Sequence, residues 1–158
     1  YMKISLLVIG KTNSKELISL METLEKRLPS FIKFERKELP DVKNANKLPE
    51  TELKNAEAEL ILSQLDSSDT LILLDEKGKE YTSMEFSKFL DQQMSRSAKH
   101  LVFCVGGAFG FSEKIYALNP LKISLSKMTF THQMVRLFFT EQLYRAFSIL
   151  QGKPYHNE

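Results

Sequence analysis

Short, nearly unbroken apolar runs constrain this chain more than any other feature. Lys3–Ile9, Thr70–Leu74, Leu101–Val105 and Ile123–Leu125 carry apolar side chains at almost every position rather than at every second one. A strand patterned this way must be covered on both faces, as strands of a parallel sheet are. Between the runs the spacing turns helical. Leu17, Leu20, Met21, Leu24 and Leu28 recur at intervals of three and four within 14–28, with Asn13 or Ser14 to cap the start and Pro29 after the end. Leu53, Ala56, Leu60, Ile61 and Leu65 do the same within 50–65, and the acidic first half suits a helix N-terminus. Phe31–Leu39 alternates in part and reads as a more exposed strand, followed by a polar loop, Pro40–Pro49. Asp75–Gly78 reads as a turn, Ser83 as a plain cap, and 84–95 as a helix. Strands alternating with helices from end to end predict a single α/β domain over 1–158, a mostly parallel sheet with helices on both faces.

At 158 residues the chain is long enough to bury roughly 70% of its unfolded surface. No apolar run approaches the ~20 residues of a membrane span, and Ile4–Ile9 is too short for a signal peptide. Tyr1 precedes Met2 and reads as an expression scar. Cys104 is the only cysteine, which rules out an internal disulfide and fits the reducing cytoplasm; its expected role is a small buried hydrophobe. Charge is uneven. Residues 1–47 carry a net +4, residues 48–95 a net −7, and residues 96–158 a net +5. The basic ends suit a polyanion such as RNA, or are an ordinary solvated surface.

The closing segment, His132–Leu150, is predicted as a helix apolar nearly all round, stopped by Gly152 and Pro154. A helix of this kind must be covered nearly all round, and in so small a chain part of the cover is expected from a second subunit, most simply in a two-fold homodimer. Arg136 and Arg145 on it then need partners, and Glu141 stands at the right spacing for Arg145.

Two loops at strand ends carry the candidate chemistry, since open α/β sheets bind ligands there. Gly106-Gly107-Ala108-Phe109-Gly110 lacks the spacing of a dinucleotide fingerprint and is no phosphate loop, but it allows a flat ligand to approach the backbone. Leu125 to His132 offers hydroxyls and backbone groups between apolar flanks; Thr129 or Thr131 is expected to cap the helix that follows. No His/Cys set has metal spacing, and no Ser/His/Asp set is visible.

The stretches VGGAFG, ISLSKMTFTHQMVR, EQLYRAFSI and the terminal GKPYH, with KISLLVIGK at the start and LDEKGK between, resemble the bacterial RlmH family, formerly called YbeA. These are SPOUT-class methyltransferases acting on a pseudouridine of large-subunit ribosomal RNA. The resemblance implies a C-terminal trefoil knot, which no spacing reveals. It also implies a homodimer, S-adenosylmethionine as cofactor, no metal, and methylation at N3 of the base on the assembled ribosome. Matched by motif, Leu74, Gly107, Ser126, Lys127, Met128, Thr129, Phe130 and Thr131 would hold the cofactor. His156 would be the base for the N3 proton, Tyr155 would stack on or bond the nucleobase, and Arg145 would bind phosphate or stabilise the developing imide anion. Two positions depart from the pattern: Thr131 stands where the family often has Pro, and Asn157 where a basic residue often follows Tyr-His. Rival readings are a non-catalytic RNA-binding or ribosome-assembly factor on the same fold, and a dinucleotide-dependent enzyme.

Overall fold

The computed structural model describes residues 2–157; Tyr1, and with it the reading of a scar, lies outside them. The elements in chain order are β1 (Met2–Ile9), α1 (Lys15–Lys26), β2 (Ile32–Leu39), α2 (Glu50–Leu62), β3 (Thr70–Glu80), α3 (Ser83–Ser95), β4 (His100–Val105), α4 (Glu113–Tyr116), β5 (Leu121–Ser124) and α5 (His132–Leu150). The five strands form one sheet in the order β2-β1-β4-β3-β5, and every neighbouring pair is parallel.

The apolar runs behave as their pattern requires. In β1, Ile4, Leu6 and Val8 point to one face, where α3 supplies Phe86, Phe89 and Leu90 and α5 supplies Phe139, Leu143 and Phe147. Leu7 points to the other face, against Ala58 and Ile61 of α2 and Ile115 of α4. The same alternation runs through β4, with Phe103 on the first side and Cys104 on the second. Phe103 meets Phe139 with ring centroids 4.7 Å apart. Each such buried ring stabilises the fold by about 1.5–3 kcal/mol. β2 is the more exposed strand, with only Ile32 and Leu39 buried.

Three local features differ from the sequence reading. The helix 83–95 is capped by Thr82, not Ser83: the Thr82 hydroxyl accepts from Glu85 N at 3.1 Å, and Glu85 reaches back to Thr82 N at 2.8 Å, a full capping box. Asp75–Gly78 is not a turn that ends its strand. β3 continues to Glu80, shifting register against β5 between Leu74 and Lys79. There the two backbones press together, so that a side chain on Gly78 would come within 2.6 Å of the Lys122 carbonyl carbon. The short helix α4 was not anticipated.

Parallel pairing has one consequence for function. All five strands run to the same edge, so the loops after β4 and β5 converge beside the middle of β3.

Candidate active site

The middle of β3 and the loops after β4 and β5 enclose a cavity of about 210 Å³. Leu74, Asp75 and Glu76 come from β3, Gly106, Gly107 and Ala108 from the loop after β4, and Leu125, Ser126, Met128, Thr129 and Phe130 from the loop after β5. His132 and Val135, in the first turn of α5, close one side.

Each loop is held in shape. After β4 the chain makes a tight reversal closed by Gly110 N donating to Gly107 O at 3.1 Å. After β5, Ser124 Oγ donates to Ser126 O at 3.0 Å and Ser126 Oγ accepts from Met128 N at 2.9 Å. Thr131 is the N-cap of α5, its hydroxyl accepting from Met134 N at 3.2 Å. Asp75 is fixed by Lys77 N at 3.0 Å and by the Tyr116 hydroxyl at 2.5 Å, which ties β3 to α4. Burial and that bond to Asp75 push the Tyr116 phenol far above its ordinary value.

Six of the eight motif-matched positions therefore line one cavity: Leu74, Gly107, Ser126, Met128, Thr129 and Phe130. Lys127 and Thr131 do not line it. The Lys127 ammonium faces out, 3.6 Å from Glu80, and Thr131 is engaged as a cap. The reading of the sequence passed over Asp75 and Glu76 as site residues, although their place at the end of a buried run was the available signal.

The second group of residues gathers elsewhere. On α5 and the tail, Arg145 Nη2 donates to Glu141 Oε2 at 2.9 Å, and the Tyr155 hydroxyl donates to the same oxygen at 2.8 Å. Arg145 Nη1 lies 3.0 Å from His156 Nδ1, and the guanidinium sits over the Tyr155 ring at 4.9 Å. Glutamate at 141 thus serves Arg145 as its spacing suggested, and also anchors the tail. Arginine has no acceptor, so it donates to Nδ1, and the histidine proton sits on Nε2. Burial first, and then the bond to Glu141, keep the Tyr155 phenol above its ordinary value. This cluster begins at Glu141, nine residues beyond His132 along α5, roughly 14 Å at 1.5 Å per residue. Within one chain the tail cluster and the cavity lie apart.

Arg136 has a different task. Its side chain is 2% exposed, donating to Gly10 O at 2.9 Å, Ile9 O at 2.9 Å and Thr12 Oγ1 at 3.0 Å, with Glu38 at 3.7 Å. It fastens the start of α5 to the carboxyl end of β1.

A Ser/His/Asp set also exists, contrary to the sequence reading. Ser5 Oγ lies 2.7 Å from His100 Nε2, and His100 Nδ1 lies 2.9 Å from Asp69 Oδ1. Ser5 is mid-strand and 5% exposed, and the set lies near the amino ends of β3 and β4, away from the cavity. It joins three strands rather than presenting a nucleophile.

With this geometry in view, comparison with known proteins is decisive. Residues 2–156 match the family described as predicted SPOUT methyltransferase. The chain belongs to the SPOUT methyltransferase family. Among its curated relatives, ribosomal RNA large subunit methyltransferase H of Christiangramia forsetii is 52% identical over 156 residues, 99% of each chain. The proteins of the same name from Parabacteroides distasonis and Porphyromonas gingivalis are 52% and 49% identical, each over 99% of this chain and the whole of the relative. Among the described residues of this SPOUT protein no helix is long and apolar enough to cross a membrane, and no group of three metal-ligating side chains converges.

Proposed function

We propose that this SPOUT protein methylates large-subunit ribosomal RNA in the cytoplasm, as a homodimer. The proposed donor is S-adenosylmethionine and the proposed target N3 of a pseudouridine. The observation that carries the reading is the cavity built from the middle of β3 and two strand-exit loops in a chain that matches methyltransferase relatives end to end. The cavity's chemistry fits the donor. Asp75 and Glu76 place negative charge beside a ligand whose sulfonium and ammonium are positive, and the N-terminus of α5 suits the ligand's carboxylate. Leu74, Leu125, Phe130 and Val135 offer apolar walls for a purine. Leu74, Gly107, Ser126, Lys127, Met128, Thr129, Phe130 and Thr131 are the proposed binding positions, with Thr131 fixing the end of the second loop as the cap of α5. A C-terminal trefoil knot is part of the proposal.

Methyl transfer from a sulfonium is an in-line displacement, so the protein supplies orientation and electrostatics. The N3 proton must leave before or during attack. In the arrangement seen here Arg145 holds His156 Nδ1, which leaves the N–H on Nε2. His156 is then shaped to donate to a base carbonyl or a phosphate, and becomes the proton acceptor only when Arg145 turns to the RNA. Arg145 would steady the imide anion, and Tyr155 would hold the base through its ring or hydroxyl.

The homodimer is supported by two features. The residues of the tail cluster do not line the cavity of their own chain, and α5 leaves Phe138 and Leu150 at the surface, 36% and 37% exposed. Antiparallel pairing about α5 would bring each tail to the partner's cavity.

The test is calorimetry with S-adenosylmethionine followed by a methylation assay on 50S and 70S ribosomes. Expected are donor binding, methyl incorporation, and loss of incorporation with retained donor binding when Tyr155–Glu158 are removed. Ribosome binding without incorporation would favour an assembly factor instead.

A further inference from the structure

Glu57 is an acid that the proposed chemistry does not use. It sits on α2, 8% exposed, outside the lining of the cavity. Burial and the neighbouring Asp41 both disfavour its anion, and among the described residues no hydrogen bond or cation offsets them. Its carboxyl lies against Gly107. A side chain at 107 would run into both carboxyl oxygens and come within 2.7 Å of Cδ. Gly107 thus lines the cavity and also touches Glu57, so a side chain at 107 would have to displace the Glu57 carboxyl.

We propose that Glu57 is a positioning residue for the donor, bracing the glycine loop at Gly107 and supplying negative charge when the cationic donor enters the cavity. The inference rests on the reading of that cavity as a methyl-donor site. A buried acid with no partner is costly as an anion, and a positive ligand one residue away removes much of that cost. The titratable groups facing Glu57 are Asp41, from the loop after β2, and the Cys104 thiol of β4, which burial keeps protonated. Neither supplies the positive charge. With the donor bound, ionised Glu57 becomes an acceptor for loop amides, which would fix the loop in its ligand-bearing shape.

The experiment measures S-adenosylmethionine affinity by calorimetry from pH 5 to 8.5 for the full-length protein and for Glu57→Gln, Glu57→Ala, Gly107→Ala and the Gly107→Ala/Glu57→Ala double variant. Circular dichroism confirms that each is folded. Wild-type affinity is expected to strengthen as pH rises, with proton release on binding. Glu57→Gln, which keeps the shape, should bind about tenfold more weakly at high pH and show a flattened profile, consistent with loss of a charge-assisted contact. Gly107→Ala should weaken binding by a similar factor, and the double variant should bind as well as Glu57→Ala alone. The inference is overturned if Glu57→Gln keeps wild-type affinity and pH profile, or if Glu57→Ala fails to relieve Gly107→Ala. A wild-type protein that does not bind S-adenosylmethionine at all would sink the cavity reading itself, a separate result.

Discussion

Arg136 takes a full charge to a place where almost no water reaches, and the backbone carbonyls of Ile9 and Gly10 are what it finds there. Replacing it with Met keeps the bulk but strands both carbonyls. The expected cost is about 2–4 kcal/mol of unfolding free energy, read by urea titration. That Arg136 needed partners was legible in its apolar helix; which partners was not, because they stand more than 120 residues away. Glu57 gives a pH prediction of definite sign. Its folded pKa is raised, so above the ordinary carboxylate value the folded chain holds a proton that the unfolded chain has released. Stability of the ligand-free protein should therefore fall as pH rises through that window. Glu57→Gln should lack this contribution, which thermal melts across pH 4–8 would register. Cys104, 0% exposed and with its thiol pushed far up by burial, should stay unmodified by iodoacetamide until the protein is unfolded, as mass spectrometry would show.

Elements were legible where one rule governed many residues. The boundaries of α5 follow from nineteen residues of helical spacing and its stop signals. Where two neighbours compete for one job, sequence alone misjudged the outcome: Thr82 and Ser83 are both good caps, and Glu85 decides in favour of Thr82 by reaching its amide. Thr82→Ala should accordingly cost about 1 kcal/mol and Ser83→Ala less than half of that in thermal denaturation. Asp75-Glu76-Lys77-Gly78 carries turn chemistry and does bulge out of the ladder, between Leu74 and Lys79, which both pair with Ile123; that the strand resumes beyond it is a tertiary override no local pattern signals. Helix α4, at four residues, is too short for any periodicity to mark.

At the scale of the molecule, a parallel sheet could be expected from the apolar runs, while the order β2-β1-β4-β3-β5 could not, since it depends on pairings between distant strands. The cavity shows the same division. Its two glycine- and serine-rich loops announced themselves, but the acids in the middle of β3 join them only because the sheet sets β3 between β4 and β5. The set of Ser5, His100 and Asp69 is likewise a product of strand pairing.

The separation of cavity and tail along a single helix makes a genetic forecast. Take one chain crippled at its donor hollow and another shorn of its last four residues, each inert alone. Unfold them together in equal amounts and let them reassociate. Random pairing should yield mixed twins in which one intact hollow faces one intact tail, returning about a quarter of normal turnover. Chains that work singly would return nothing.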